Sequence, residues 1–184
     1  VCSSDLSDQI TLEKFGFSDF FKDERSAFPF HGGETSGRER LKNYFFETKN
    51  LSTYKETRNG MTGSDYSSKF SAWLANGSLS AVEIYHEVKK YEEEFGSNES
   101  TYWLIFELFW REFLKYVAME YGDRIFNYNG ILDKENSHQD EPSKIDRWIE
   151  GKTDSDFINA NMIEIAETGF MSNRGRQNVA SYFC

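Results

Sequence analysis

Proline is nearly absent. Pro29 and Pro142 are the two in 184 residues, and both fall between periodic segments. Long stretches are therefore free to be helical, since proline inside a helix costs about 3 kcal/mol. Cysteine is as scarce: Cys2 and Cys184 stand at the two ends, without metal-type spacing, and a reducing compartment is the default expectation. No apolar run approaches the roughly 20 residues of a membrane span. Val1 to Leu6 lacks the basic start and apolar segment of a signal peptide. Positive charge is in deficit, with 21 Lys and Arg against 31 Asp and Glu and a net charge of -10. That excludes a protein that coats nucleic acid nonspecifically. It leaves room for a local basic site, because screening confines charge effects to about 8–10 Å. GxGxxG, P-loop and Ser/His/Asp arrangements are missing, and no metal site is expected. His31, His86 and His138 are scattered and read as surface or loop residues.

Aromatic residues are abundant, at 17% of the chain, in an otherwise polar sequence. They must be concentrated in a few faces. Residues 1–30 show little helical period and end in Phe28-Pro29-Phe30-His31-Gly32-Gly33, an entry strand or loop. From Thr35, Leu41, Tyr44, Phe45 and Thr48 recur at helical steps. A short helix is expected over Ser67 to Asn76, before Gly77. Ser80 and Glu83 have capping-box spacing, and Ile84, Val88, Tyr91 and Phe95 mark a buried stripe. A long helix runs from Ser100 or Thr101 to Tyr121-Gly122. Gly122 to Ser143 reads as a polar loop with little pattern. Trp148 lies on a short helix closed by Gly151. Phe157 to Glu167 forms another, with Ile158, Met162 and Ile165 inward and Gly169 after it. A last helix begins near Ser172 or Asn173, and Cys184 interrupts it without a stop signal. The expected fold class is all-α.

Three segments carry chemistry. In WLIFELFWREF, Trp103 to Phe113, a carboxylate (Glu107) and a guanidinium (Arg111) are embedded in an aromatic helix with Trp103 and Trp110. At about 100° per residue these four groups share one broad face. Charges among apolar neighbours cost several kcal/mol unless paired or facing a polar ligand. An i,i+4 pair on a solvated face is the plainer reading of Glu107 and Arg111, contributing about 0.2–0.5 kcal/mol. The second segment, Tyr66-Ser67-Ser68-Lys69-Phe70-Ser71, combines hydroxyls, an ammonium and the free N–H groups of a helix start. It suits an anion such as a diphosphate, or simple capping by Ser67 or Ser68. Tyr54 and Arg58, four apart, could present a ring and a charge on one side. The third runs from Thr168 to Asn178. Its Arg174 and Arg176 point about 160° apart on a helix, so one should face inward and one outward.

The segments GGETSGRERLKNYFFET, YKETRNGMTGSDYSSKFSAWLANGSLS, STYWLIFELFWREF and ETGFMSNRGRQNVAS occur in that order. Together they resemble the cryptochrome/photolyase family, most closely its cryptochrome DASH branch, over roughly residues 28 to 184. The resemblance implies the helical FAD-binding domain of that family, truncated at both ends. Residues 1–30 would be an interdomain linker remnant and 31–184 a partial FAD-binding domain. It implies FAD held by Tyr54, Ser67, Ser68, Lys69, Phe70, Ser71, Glu107, Arg111, Leu114, Asn173 and Arg176. Glu107 and Trp110 would be catalytic, the indole stacking on a flipped pyrimidine dimer and the carboxyl group donating or sharing a proton. Arg58, Trp110 and Arg174 would contact damaged DNA. A folate antenna is implied only with an additional N-terminal domain.

The function so implied is light-dependent repair of cyclobutane pyrimidine dimers, with single-stranded DNA favoured, by a monomer with no membrane association. A bacterial protein would be cytoplasmic; an organelle or nucleus stays open. A blue-light photoreceptor without repair activity is the alternative, and a helical interaction domain without cofactor a third class. Departures from the family pattern bear on electron supply. Two relay tryptophans and an acidic pair would lie past Cys184, and the third relay position falls on His138. Asp154-Ser155-Asp156 stands where Gly-x-Pro is usual, and Asn159 replaces an acidic residue.

Overall fold

The computed structural model describes residues 12–17, 23–135 and 141–183, and among these the chain is helical without a strand. After a 3-10 turn at Leu12–Phe15 come α1 (Glu34–Lys42), α2 (Tyr54–Thr57), α3 (Ser71–Asn76), α4 (Ala81–Phe95), α5 (Glu99–Tyr121), α6 (Pro142–Ile149), α7 (Asp156–Thr168) and α8 (Asn173–Phe183). None of the helices is long and apolar enough to cross a membrane. Helix α1 widens into a π turn at Asn43–Glu47, where Tyr44 and Phe45, neighbours in sequence, are both fully buried. Gly37 sits in α1 where a Cβ would come within 3.0 Å of Trp73 and Leu79. Its missing side chain lets the α3 indole lie against α1.

The helix ends follow local chemistry. Ser80 Oγ accepts from Glu83 N at 3.0 Å and starts α4. Asn98 starts α5 by accepting from the amides of Ser100 and Thr101, while Thr101 Oγ1 accepts from Asn98 N, closing a capping box. Gly122, at φ 51, ends α5. Pro142 opens α6 at a position where its missing N–H costs nothing. Gly169 ends α7 in the left-handed conformation.

Two cores result. The larger gathers Leu41, Tyr44, Phe45, Leu51, Tyr54, Phe70, Trp73, Leu79, Ile84, Val88, Tyr91, Leu104 and Ile105 from α1 to α5. Of the expected α4 stripe, Ile84, Val88 and Tyr91 are buried, while Phe95 stays partly exposed against the Tyr91 ring. The smaller core joins Ile158 and Met162 of α7 to Met171 and Val179, with Trp148 and Ile165 packed on it. The rings of Phe28 and Phe170 stack at 5.7 Å, and Phe28 also meets Trp73, so aromatic contacts join the larger core to the turn between α7 and α8.

Two expectations need correction. The helix expected from Ser67 begins only at Ser71, and Phe70 stands at its cap without a side-chain bond. Tertiary contacts explain this. The carbonyls of Ser67 and Ser68, which a longer helix would need, accept from Arg40, and Lys69 has a left-handed φ of 64. The segment after α5 is also more ordered than a patternless loop. A 3-10 helix at Gly122–Phe126 leads into turns closed by Gly130 N to Asn127 O and Lys134 N to Asn129 O. His138 lies outside the described residues.

Candidate functional site

Glu107 is reached from two elements. Arg58, just after α2, places Nη1 2.5 Å from Glu107 Oε1. Trp103, one turn earlier on α5, donates from Nε1 to the same oxygen at 3.2 Å. The Arg58 guanidinium also stands 5.3 Å from the centre of the Trp103 ring. Buried Tyr54 lies beside this group: desolvation, then the Glu107 charge, pushes its phenol above the usual range. Helix α2 is docked to α5 by Ser100, whose hydroxyl accepts from Lys55 N at 3.0 Å and donates to Glu56. Glu107 and Arg111 do not pair with each other in the manner of a solvated i,i+4 couple. Arg111 is exposed, ion-paired to Glu112, and donates from Nη2 to Leu74 O at 3.3 Å.

Beyond Glu107 the helix turns outward. Trp110 is 48% exposed, held edge-on between Phe106 at 6.1 Å and Phe113 at 5.6 Å. Both neighbours use the T-shaped geometry that aromatic quadrupoles favour, and about half of the indole stays exposed. Leu114, one turn on, is 59% exposed.

The 64–70 loop is organised by a residue the sequence reading passed over. Arg40 of α1 is buried, and all five of its N–H donors are used. Nε donates to Ser68 O, Nη1 to Asn43 Oδ1 and Asp65 Oδ1, and Nη2 to Ser64 O and Ser67 O, over 2.8–3.3 Å. The guanidinium is sandwiched near the rings of Phe30 and Tyr44, at 4.7 and 4.9 Å. Its position was legible, since Gly37, Arg40, Leu41 and Tyr44 share the buried face of α1 at helical spacing.

Lys69, beside it, is the opposite case. The residue is 5% exposed, and its Nζ is buried without a hydrogen-bond partner. It lies 3.4 Å from the centre of the Tyr66 ring and 4.6 Å from that of Phe170. Desolvation, reinforced by the Arg40 charge, brings its ammonium down to about 8. Around it, Ser68 and Phe70 are buried, Ser67 is half-buried, and Ser71 is exposed. Burial pushes the Tyr66 phenol up to about 12, and its hydroxyl also has no partner. Desolvation raises the Glu164 carboxyl as well.

The α7–α8 turn presents the third group. Ser172 Oγ accepts from Gly175 N at 2.9 Å and caps α8. Asn173 is exposed. Arg176 donates from Nε to Met171 O at 3.0 Å, and Arg174 donates from Nη2 to Asn59 Oδ1 at 2.9 Å. The expectation that one arginine points inward is not met: both are exposed. The inward direction belongs to Gly175 between them, where a Cβ would lie 2.1 Å from Asn161 Oδ1. On α7, Asn159 exchanges three bonds with Thr153 through its amide.

Four contacts close these segments into a circuit. Arg58 binds Glu107 on α5, and Arg111 of α5 reaches Leu74 of α3. Lys69, on the loop leading into α3, meets Phe170 of the α7–α8 turn. Arg174 of α8 returns to Asn59, next to Arg58. Segments distant in sequence, from Arg58 to Arg174, are thus tied to one another by side-chain contacts. Among the described residues no group of His, Cys, Asp or Glu could hold a metal ion.

Residues 103–184 match the family model described as the FAD binding domain of DNA photolyase. The chain is 54% identical to a cryptochrome DASH from Danio rerio over 172 residues, covering 94% of this chain and 33% of that protein. A cryptochrome DASH from Synechocystis sp. PCC 6803 is 55% identical over 162 residues, covering 88% of this chain and 33% of the relative. A crystal structure of Synechocystis sp. PCC 6803 cryptochrome superposes with a TM-score of 0.89 at 54% identity, over 91% of this chain and 35% of that one. The chain therefore spans about a third of the length of the relatives it matches.

Proposed function

Because the chain belongs to the cryptochrome/photolyase family, in its cryptochrome DASH branch, and carries part of that family's FAD-binding domain, we propose that it serves a light-dependent flavoprotein that repairs cyclobutane pyrimidine dimers. Single-stranded DNA is the favoured substrate. The observation that carries this reading is the closed circuit Arg58–Glu107, Arg111–Leu74, Lys69–Phe170, Arg174–Asn59. It supports the reading by linking the helices and loops that carry the proposed cofactor and substrate residues.

The residues fit FAD. A buried ammonium without an acceptor, Lys69 Nζ, is matched by an anionic diphosphate, and the hydroxyls of Ser67, Ser68 and Ser71 add donors on the same loop. Tyr54, Phe70, Arg111 and Leu114 contribute wall, and Asn173 and Arg176 approach from α8. Reduced FAD, when bound, supplies the light-driven electron. The protein's own part is position and electrostatics. Trp110, half exposed and braced by two rings, offers a stacking platform for a base taken out of the helix. Flipping costs a few kcal/mol, least in single strands. Stacking returns about 1–3 kcal/mol per base. Glu107, one turn from Trp110, is placed to hold or donate a proton at the stacked pyrimidine. Arg58 and Arg174 lie on the same side and supply charge for phosphate.

The test joins an absorption spectrum of the purified flavoprotein to a light-dependent repair assay on a dimer-bearing oligonucleotide. Ser68→Leu and Arg176→Met should lower flavin content. Glu107→Ala should keep the flavin spectrum and lose roughly tenfold or more of repair rate, the scale of a proton-transfer contribution. Full flavin retention in both of the former variants would remove the cradle assignment. Intact flavin with no repair in the wild-type protein would assign the same site to blue-light sensing.

A further inference from the structure

Arg58 has two claimants. As a cation at the substrate face it should meet phosphate, yet its Nη1 is committed to Glu107 Oε1 at 2.5 Å, and its guanidinium is steered by the Trp103 ring. The other charges around this spot are engaged elsewhere. Lys55 stands over the Trp103 ring at 5.2 Å but pairs with Glu99, and Arg111 pairs with Glu112. Glu56 accepts from Ser100, and buried Tyr54 carries no charge in the neutral range. Arg58 is thus the cation paired with the acid, and the acid the anion paired with Arg58.

We propose that the Arg58–Glu107 ion pair is a latch opened by nucleic acid: the guanidinium exchanges from the carboxylate to a DNA phosphate, which frees the Glu107 carboxyl for the lesion as the strand docks. The inference rests on the repair reading given above, which makes this face the substrate side. Three observations carry it. The pair is partly solvated, with the two side chains 22% and 32% exposed, and ion pairs of that kind are weak enough for a competing anion to replace. Trp103 donates to the same carboxylate oxygen, so Glu107 keeps one hydrogen bond when Arg58 leaves. Arg58 follows directly on a helix of four residues, Tyr54–Thr57, so a rotamer change there disturbs little regular backbone. A phosphate is also a stronger bidentate partner for a planar guanidinium than a carboxylate oxygen shared with an indole.

The experiment measures binding of the flavoprotein to an undamaged fluorescent single-stranded oligonucleotide across a salt series. An undamaged strand keeps direct Glu107–lesion contacts out of the measurement, and the flavin spectrum of each variant reports folding. Glu107→Gln should tighten binding about threefold to tenfold while leaving the salt dependence unchanged, because Arg58 reaches the same phosphate without first leaving an internal rival. Arg58→Met should weaken binding by a similar factor, and Arg58→Lys should recover part of it, since an ammonium keeps the charge and loses the bidentate fork. The double variant Arg58→Met/Glu107→Gln should match Arg58→Met alone. Equal tightening by Glu107→Gln with and without Arg58 would show general charge repulsion and overturn the latch, as would no tightening at all. A wild-type flavoprotein that binds no strand at any salt would instead remove the DNA reading, and the latch with it.

Discussion

Arg40 of α1 and Lys69 of the 64–70 loop are both buried cations, yet Arg40 reaches acceptors with all five donors while Lys69 reaches none. Both are flanked by aromatic rings, so the difference lies in hydrogen bonding and not in ring contacts. A guanidinium can fan out over several carbonyls at once, whereas an ammonium is a point charge. A buried charge with its donors met holds the surrounding backbone in place. One with none met raises the energy of the fold and is relieved by a partner that arrives later. Arg40 shapes the loop; Lys69 waits on it.

The comparison breaks first at Arg40. Arg40→Met strips the partners from the carbonyls of Ser64, Ser67 and Ser68, and should cost about 3–5 kcal/mol of stability, read from the urea midpoint. An unchanged midpoint would mean the loop holds its own shape. Lys69→Met should act in the other direction. Replacing an unpaired buried charge by an apolar chain of similar length should leave the flavin-free protein as stable or stabilise it by about 1–2 kcal/mol, while flavin content falls. Equal loss of both properties would make Lys69 a structural cation like Arg40.

The smallest effect sharpens the contrast through pH. The folded Lys69 ammonium sits at about 8, below its ordinary 10.5, so between these values the unfolded chain binds the extra proton. Stability therefore rises as pH climbs from about 8 toward 10, and the penalty is fully present below that window. Buried Tyr44 and Tyr66, pushed up to about 12, act oppositely but only once unfolded tyrosines ionise near 10. Denaturation of the flavin-free protein at about pH 7.5 and about pH 9.5 should show the rise, and Lys69→Met should abolish it.

Local chemistry in the sequence located most helices. The start expected at Ser100 or Thr101 lies within two residues of Glu99, where Asn98 caps α5, and Gly122 and Gly169 end α5 and α7, because caps and stops act over a few residues. Where long-range contacts compete, local sequence does not decide the outcome. The helix placed from Ser67 starts at Ser71 because a side chain 27 residues earlier takes the Ser67 carbonyl. Likewise Glu107 has an arginine four residues away in sequence, yet its partner is Arg58, 49 positions upstream. Helix periodicity can place Glu107 and Arg111 on one face, but it cannot say which of several guanidinium groups arrives from another helix. The cage around Lys69 was hidden for the same reason, since Phe170 is a hundred positions away. Arg40 is the legible exception: an arginine on the buried face of a helix announces a core network.

Gly175 carries a consequence for the whole α8 end of the site. A Cβ there would collide with Asn161, so the absence of one methyl group sets how near α8 can lie to α7. Asn173, Arg174 and Arg176 ride on that same rigid rod. An alanine at position 175 would have to displace the Asn161 amide or move α8, and a moved α8 carries all three side chains together.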